Sequence, residues 1–225
     1  MTIQYLLPTV DLHQPWLRVD LGREHRVAGW PVVAPSDGVA RFITWLQVCD
    51  ADLPRHVDPD AYFLYRARAE GVAADVGLLT AAEVARFALH RCPTPDGAVT
   101  VVATVGLGNG ESVIPGDVPA HDDAHIGTIN LLAVSPLPMA PAAMLEAISI
   151  VTQGRTAAVM DLCLRTGDGR PVTGTGTDCV VVAAPPGPAK QPHCGLHTAL
   201  GRALGQAAYA ATWEAAAHWL EEQAP

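Results

Sequence analysis

The residues with the clearest potential for chemistry lie in a threonine- and glycine-rich run, T-G-T-G-T-D, at Thr173–Asp178. In a regular strand Thr175 and Thr177 would share one face with the first threonine of the run. The two glycines let the backbone bend or let a ligand approach, and Asp178 directly precedes the apolar run Cys179–Ala183. The run indicates either a hydroxyl-lined site with a carboxylate at its edge or a polar strand face whose aspartate caps a turn.

A second polar pair opens an apolar stretch in the middle of the chain. Thr128 and Asn130 flank Ile129 in the sequence G-T-I-N, so in a strand both polar side chains point the same way. An asparagine amide offers two donors and one acceptor and can polarise a carbonyl or hold an oxyanion. The alternative is that both residues only satisfy the backbone of neighbouring loops.

A glycine-rich segment, G-L-G-N-G at Gly106–Gly110, directly follows another apolar stretch. A phosphate-binding loop is the obvious interpretation, but the GxGxxG spacing and a following helix pattern are both missing. A glycine turn that exposes Asn109 fits the sequence better.

The histidines favour acid–base chemistry or a substrate contact over a metal site. The segment H-C-G-L-H at His193–His197 supplies half of a zinc site by residue type, but no second ligand pair has the usual spacing. Histidines also flank an acidic pair in His121–His125. His197 is the better candidate for a general base, and Gly201 and Gly205 extend a small-residue stripe beneath it where another backbone can approach.

A further pair lies on a long helix predicted from Pro141 to Leu164. Thr152 and Arg155 are three residues apart, so they are neighbours on the helix surface. Gly154 between them costs roughly 1 kcal/mol relative to alanine in a helix interior, which indicates close packing or ligand approach at that point. Arg155 either belongs to a site or simply pairs with a carboxylate.

The elements that position these residues follow from the apolar patterns. Strands are predicted at Leu17–Leu21, Val27–Val33, Ala98–Val105 and Ile126–Val134, with one or two strands in Arg170–Ala183 and an ambiguous segment at Ala40–Val48. Helices are predicted at Pro59–Gly71, Thr80–His90, Pro141–Leu164 and Gly195–Glu222. We expect an α+β (mixed α/β) fold, a single layered domain over residues 1–225 with a mixed sheet packed by a long central helix and a C-terminal helix.

Composition narrows the classes of partner. The 225 residues are 49% hydrophobic, with 14 basic against 23 acidic residues, so we expect a large core and no binding to nucleic acid or to an anionic membrane. The start of the chain lacks a signal-peptide pattern and no 18-residue apolar stretch is present. The five dispersed cysteines are expected to be reduced in the cytoplasm, and the sequence leaves a homo-oligomer open.

Five segments, in their order along the chain, resemble the adenosylcobinamide amidohydrolases. They are G-L-G-N-G, G-T-I-N, T-Q-G-R at Thr152–Arg155, T-G-T-G-T-D with the following V-V-V-A, and G-L-H-T-A-L-G at Gly195–Gly201. The resemblance implies hydrolysis of the aminopropanol amide of adenosylcobinamide, which yields adenosylcobyric acid for cobamide salvage. It implies no cofactor and no metal held by the protein, because the corrinoid carries its own cobalt.

Polar residues inside these segments give a hypothesis for the mechanism. Asp178 or His197 activates a water molecule, and His197 protonates the leaving amine. The oxyanion stabiliser is expected among Asn130, Asn109 and Thr177. A covalent route through Thr128 or Thr177 is the alternative.

The remaining polar residues of these segments are expected to contact the substrate, namely Asn109, Thr128, Thr152, Gln153, Arg155 and Thr175. A flat, amide-rich corrinoid requires an open cleft with apolar and hydrogen-bonding walls. The loops Glu111–Ala124 and Pro185–Pro192 are the predicted rim of that cleft.

One residue departs from the pattern of the family. Gln153 stands where a glutamate is expected, and an amide cannot replace a carboxylate in proton transfer. If that glutamate takes part in catalysis, the chain is a weak enzyme, an amidohydrolase of another substrate or a corrinoid-binding protein without hydrolase activity. If the glutamate only orients other groups, Gln153 can serve.

Overall fold

The computed structural model describes residues 7–116 and 127–223. Its strands are β1 (Thr9–His13), β2 (Trp16–Gly29), β3 (Val39–Gln47), β4 (Val76–Thr80), β5 (Ala88–Thr94), β6 (Gly97–Val105), β7 (Gly110–Glu111), β8 (Ile129–Val134), β9 (Gly174–Thr175) and β10 (Cys179–Ala184). Its helices are α1 (Pro59–Glu70), α2 (Pro141–Asp161) and α3 (Ala199–Gln223), with 3₁₀ turns at Asp50–Asp52 and Val84–Arg86.

The main sheet is mixed and runs in the order β4-β3-β2-β10-β8-β6-β5, with β1 paired to β2. The long strand β2 pairs with β3 from Trp16 to Arg26, and the register of this pairing shifts between Asp20 and His25. The last four residues of β2 pair with β10. The half of the sheet built from β2, β3 and β4 therefore folds over the half built from β10, β8 and β6. Ile43 and Trp45 from one half belong to the same buried cluster as Leu132 and Val181 from the other, so a core lies between the two halves.

Helices α2 and α3 cover the opposite face of the β5–β6–β8–β10 half. Because successive strand residues point to opposite faces, Val180 and Val182 join this second core while Val181 joins the first. Gly154 lies where the helices meet, since a Cβ there would collide with the carbonyl oxygen of Gly205. The predicted close packing at this mid-helix glycine is confirmed, and the neighbour is a helix backbone.

The small-residue stripe on α3 is also explained by backbone contact. A Cβ on Gly201 would collide with the carbonyl oxygens of Cys194 and Gly195, and Gly205 packs against Ile150. The expectation that another backbone approaches this stripe is confirmed.

Helix α1 begins and ends as its sequence predicts. The Asp58 carboxylate accepts a hydrogen bond from the Asp60 amide at the helix start, and Gly71 closes the helix in the left-handed region with φ of 67°. Phe63 on α1 packs edge-on against Trp16 at a centroid distance of 5.7 Å, so α1 covers the outer face of the β2–β3–β4 half.

The predicted α+β architecture, with a mixed sheet packed by a long central helix and a C-terminal helix, is confirmed. The ambiguous segment Ala40–Val48 forms β3, and Arg170–Ala183 divides into β9 and β10. Single-domain organisation over residues 1–225 stays a prediction. No described helix has the length and apolar character that a bilayer-spanning segment needs, and the five cysteines are free thiols.

The predicted helix at Thr80–His90 is wrong. Thr80 ends β4, and its hydroxyl accepts from the Ala82 amide two residues on, which is a local turn. The Val84 amide donates to the side chain of Gln47, and the chain enters β5 at Ala88 and pairs with β6. Pairing with a buried neighbouring strand outweighs the local helix propensity of this alanine-rich segment.

Candidate active site

The amino-terminal ends of β8 and β10 bring G-T-I-N and T-G-T-G-T-D together at one edge of the sheet. The two strands are parallel, and Asn130 lies opposite Cys179. The Thr177 hydroxyl donates to the carbonyl oxygen of Gly127 at 3.1 Å and is hydrogen-bonded to the Thr128 hydroxyl. Since a hydroxyl has one proton to donate, this arrangement makes Thr128 the donor to the oxygen of Thr177.

The Asp178 carboxylate accepts hydrogen bonds from three separate parts of the chain. Its Oδ1 accepts from the Ile129 amide at 3.2 Å and from the Thr175 hydroxyl, and its Oδ2 accepts from the Thr175 amide at 3.0 Å and from Arg155 Nη1. A carboxylate has about four acceptor sites, so these donors occupy its whole capacity. Asp178 thereby joins β8, the T-G-T-G-T-D run and α2.

Arg155 completes a buried ion pair, because only 11% of its side chain and 10% of the Asp178 side chain are exposed. Arg155 Nη1 also donates to the Thr173 carbonyl oxygen at 3.2 Å. A Cβ on Gly174 would collide with both charged groups, so the first glycine of the run is needed for internal packing. Both predicted alternatives, an arginine paired with a carboxylate and an aspartate that ties down a turn, are what the structure contains.

A small cavity of about 200 Å³ opens between the two halves of the sheet beside the threonine pair. Its polar wall carries Thr128, Thr177, Asn130 and Thr80, and the rest of the wall is mainly apolar. Asn130 is 2% exposed and donates from Nδ2 to the carbonyl oxygen of Leu79 at 2.7 Å. An amide nitrogen carries two protons, so one N–H of Asn130 is left for a group inside this cavity.

Cys179 also lines the small cavity, but its thiol is unsuited to nucleophilic attack. Burial raises the pKa of the Cys179 thiol to about 12. The thiol is therefore protonated at neutral pH, and the thiolate is the reactive form of cysteine.

A larger cavity of about 490 Å³ lies on the α2 side of the same run. The polar residues that line it are Glu111, Ser112, Thr152, Arg155, Thr156, Thr173, Thr175 and Asp178. Thr152 is occupied locally, since its hydroxyl donates to the Ile148 carbonyl oxygen at 2.8 Å.

Trp30 borders both cavities and was missed by the sequence analysis. Its indole Nε1 donates to the backbone carbonyl oxygen of Asp178 at 2.7 Å. It follows the last residue of β2, and nothing in its local sequence distinguishes it from the four other tryptophans.

The structure does not bring His197 to Asp178. His197 is exposed in the loop before α3 and lines neither cavity. The preceding residues of that loop contact Glu146, where the Cys194 amide donates to the carboxylate. Glu146 lies nine residues before Arg155 on α2, which is about 14 Å along the helix axis. The roles of His197 in activating water and protonating the leaving amine stay predictions, and the structure places this side chain outside both cavities beside Asp178.

Gln153 also lies away from both cavities. Its side chain is exposed and donates from Nε2 to the Ser149 hydroxyl at 3.3 Å. It lines a separate groove between α2 and α3, together with Leu196 and Tyr209. The departure from the family pattern at this position thus does not alter the walls of the cavities beside Asp178.

Asn109 packs against Gly127, next to the threonine pair. It is only partly exposed, which corrects the expectation of an exposed turn. Its side-chain Oδ1 is buried without a hydrogen-bond partner. A Cβ on Gly127 would collide with this amide and with the Gly106 carbonyl oxygen, so G-L-G-N-G packs directly on G-T-I-N.

Of the two predicted rims, one borders the site. Glu111 and Val113 line the larger cavity, while residues 117–124 of that loop lie outside the described residues. The loop Pro185–Pro192 follows the carboxyl end of β10, and the Lys190 amide donates to the Pro138 carbonyl oxygen there. It lies at the opposite end of the strand, so its prediction as a rim is wrong.

Side chains of the types that bind metals occur throughout residues 7–116 and 127–223, the ranges that the structure describes. No three histidine, cysteine or acidic side chains in those ranges lie close enough to hold an ion. The predicted histidine and acidic cluster at His121–His125 lies outside the described residues.

Comparison with known proteins gives a family match over almost the whole chain. The family described as adenosylcobinamide amidohydrolase matches residues 6–224. An adenosylcobinamide amidohydrolase from Halobacterium salinarum is 31% identical over 131 residues, which is 56% of this chain and 52% of that protein. The chain thus spans about half the length of this curated relative.

Two solved structures are weakly similar. An L-aminopeptidase D-Ala-esterase/amidase from Ochrobactrum anthropi gives a TM-score of 0.45 at 9% identity over 89% of this chain and 76% of that chain. A protein from Pyrococcus horikoshii OT3 gives a TM-score of 0.43 at 9% identity over 92% of this chain and 77% of that chain. Likenesses this weak carry no inference about what the chain does.

Proposed function

The chain belongs to the adenosylcobinamide amidohydrolase family, and we propose that it hydrolyses the amide between aminopropanol and the corrinoid of adenosylcobinamide. Water is consumed, the C–N bond breaks, and the products are adenosylcobyric acid and aminopropanol. The observation that carries this proposal is the family match over residues 6–224. The chemistry of the small cavity supports it, because hydroxyl and amide groups meet at its wall.

The Thr177 hydroxyl is the group we assign to the attacking side of the reaction. Thr177 is exposed at the sheet edge, whereas Thr128 is buried behind it and donates to it. Thr177 either attacks the amide carbon itself, with its hydroxyl proton passing to the departing amine and water then cleaving the ester, or holds the water that attacks directly. Capture of a covalent corrinoid adduct on Thr177 by mass spectrometry separates these two routes.

Asn130 is the group we assign to the developing oxyanion. One of its two N–H groups is held by the Leu79 carbonyl oxygen, which leaves the second available to a group in the cavity that Asn130 lines. A donor held in place before the reaction stabilises the oxyanion without reorganisation.

Asp178 is a positioning residue in this proposal. Its carboxylate accepts from the Ile129 amide in β8 and from Thr175 in the run that carries Thr177, so it fixes the two strand entries relative to each other. Because its acceptor sites are occupied by those donors and by Arg155, we replace the expected role as a base with this one.

The binding-only alternative depended on Gln153. Since Gln153 lies in the groove between α2 and α3 and outside both cavities, it gives no reason to prefer binding over hydrolysis. We further propose that the protein holds no metal of its own, because the corrinoid carries its own cobalt. We also propose that the chain acts in the cytoplasm.

The test is conversion of adenosylcobinamide by the purified chain in water enriched in heavy oxygen, followed by chromatography and mass spectrometry. We expect adenosylcobyric acid with one heavy oxygen in its new carboxylate. Corrinoid recovered unchanged, with demonstrated binding, would reject hydrolysis and leave a binding protein. A product without heavy oxygen would exclude water as the second reactant.

A further inference from the structure

Trp30 is a large aromatic side chain that is half-exposed and yet held in a fixed orientation. Its side chain is 53% exposed, and its only polar atom is occupied by the Asp178 carbonyl oxygen. Strand β2 comes very close to β10 just before it, since a Cβ on Gly29 would collide with the Val180 carbonyl oxygen. The ring is therefore anchored at one edge, while much of its surface faces outward at the junction of the two cavities.

The larger cavity combines this apolar surface with a polar floor. Val113, which is 88% exposed, lines the same cavity as Trp30. Arg155 and Asp178 are at the base of that cavity, buried and paired. Exposed apolar groups beside hydrogen-bonding groups suit a ligand that has an apolar ring and polar substituents.

The size of the small cavity limits which part of a corrinoid can enter it. The small cavity of about 200 Å³ beside Thr177 is enough for a short aliphatic arm and its amide. A macrocycle is too large for that space, so it must remain outside, next to the residue that borders both cavities.

We propose that Trp30 packs against the corrin ring of the substrate and so places the aminopropanol amide at Thr177, an inference that rests on the proposed function. An indole has a wide, rigid face and few rotatable bonds, so it provides contact area at little entropic cost. The hydrogen bond to the Asp178 backbone means that the ring's position is tied to the run that carries Thr177.

The first test compares Trp30→Ala and Trp30→Phe with Trp213→Ala. Trp213 lies on α3 and is 46% exposed, so it is a matched control outside both cavities. Loss of a central aromatic contact is expected to raise KM about tenfold in Trp30→Ala with a much smaller change in kcat. Trp30→Phe retains an aromatic ring and should recover most of the affinity, whereas Trp213→Ala should match the wild type.

The second test measures binding without turnover. Equilibrium dialysis with adenosylcobyric acid, which has the macrocycle but lacks the aminopropanol arm, should show about tenfold weaker binding in Trp30→Ala. Its dicyano counterpart, which lacks the adenosyl ligand, should show the same loss. Product binding that is unchanged in Trp30→Ala, or a loss confined to the adenosyl form, would overturn the contact with the ring.

These two tests also separate the inference from the proposed function. A wild-type chain that binds adenosylcobyric acid through Trp30 but never forms it would reject hydrolysis and keep the contact. A chain that hydrolyses adenosylcobinamide equally well with and without Trp30 would keep hydrolysis and reject the contact.

Discussion

The two sides of the T-G-T-G-T-D run differ in whether their hydrogen-bonding groups are already paired within the protein or remain available to a ligand. On the α2 side, Asp178 and Arg155 are buried and paired, and the carboxylate's acceptor sites are filled. On the other side, Thr177 and Asn130 border a cavity, and Asn130 retains an unassigned N–H. One motif therefore holds both an anchor and a reactive edge, and its charged residue belongs to the anchor.

The largest expected effect is on stability, at the anchor. Asp178→Asn leaves Arg155 buried without its counter-charge, and removal of one partner from a buried pair costs about 3 to 5 kcal/mol in free energy of unfolding. Thermal or urea unfolding measures the loss. Asp11→Asn is the matched control, because Asp11 pairs with Arg18 on the surface and exposed pairs contribute about 0 to 1 kcal/mol.

A double variant tests whether the unpaired charge of Arg155 is the cause of this loss. Replacing both Asp178 and Arg155 with leucine removes the two charges together, and we expect it to be more stable than Asp178→Asn. Equal instability of the single and double variants would show that the pair is not the source of the loss.

The next effect is on activity, at the reactive edge. Asn130→Asp is nearly isosteric but loses both amide donors, so we expect kcat for adenosylcobinamide hydrolysis to fall about 10²- to 10³-fold. The variant also loses the bond to the Leu79 carbonyl oxygen, so its unfolding must be measured alongside. Retained turnover in a folded Asn130→Asp would remove Asn130 from the reaction.

The two glycines of the run give a matched pair with a smaller effect. Gly174→Ala should destabilise the chain by about 1 to 3 kcal/mol, because the new methyl group collides with Arg155 and Asp178. Gly176→Ala should stay within about 0.5 kcal/mol of the wild type, since its Cβ would meet open space. Similar unfolding midpoints for both variants would contradict the packing assigned to this run.

The smallest effect is expected at Gln153. Restoring the glutamate of the family pattern with Gln153→Glu changes an exposed residue outside both cavities, so kcat/KM should stay within about twofold of the wild type. A large gain in activity would show that the groove between α2 and α3 takes part in the reaction.

Apolar periodicity predicted most of the architecture because each strand and helix buries one defined face. The strand predictions at Ala98–Val105 and Ile126–Val134 were largely confirmed as β6 and β8. Thr80–His90 was predicted as a helix from its composition and from the capping-box pattern of Thr80 and Glu83, whereas the partner strand that changes the outcome begins at Gly97 and ends at Val105. Competition between local propensity and pairing partners is not visible in the segment itself.

The candidate site could be predicted only in part. Residue types pointed to Thr177 and Asn130, which the parallel pairing of β8 and β10 does bring to one edge. The donors to the Asp178 carboxylate come from three separate elements. Trp30, which donates to the backbone carbonyl oxygen of Asp178, lies 148 positions away in the chain. No local pattern encodes such contacts, so the sequence left Asp178 open between a turn cap and a base, and it gave no sign of the role of Trp30.

Turnover of adenosylcobinamide by Thr177→Ala, Thr177→Ser and the control Thr94→Ala tests whether the reaction takes place at Thr177. Thr94 is a partly buried threonine on β5 whose hydroxyl donates to Gly97, outside both cavities. We predict that Thr177→Ala stays folded and forms adenosylcobyric acid at least about 10²-fold more slowly, that Thr177→Ser recovers much of the rate, and that Thr94→Ala matches the wild type. Wild-type rates in a folded Thr177→Ala would contradict the assignment of the reaction to this edge of the sheet.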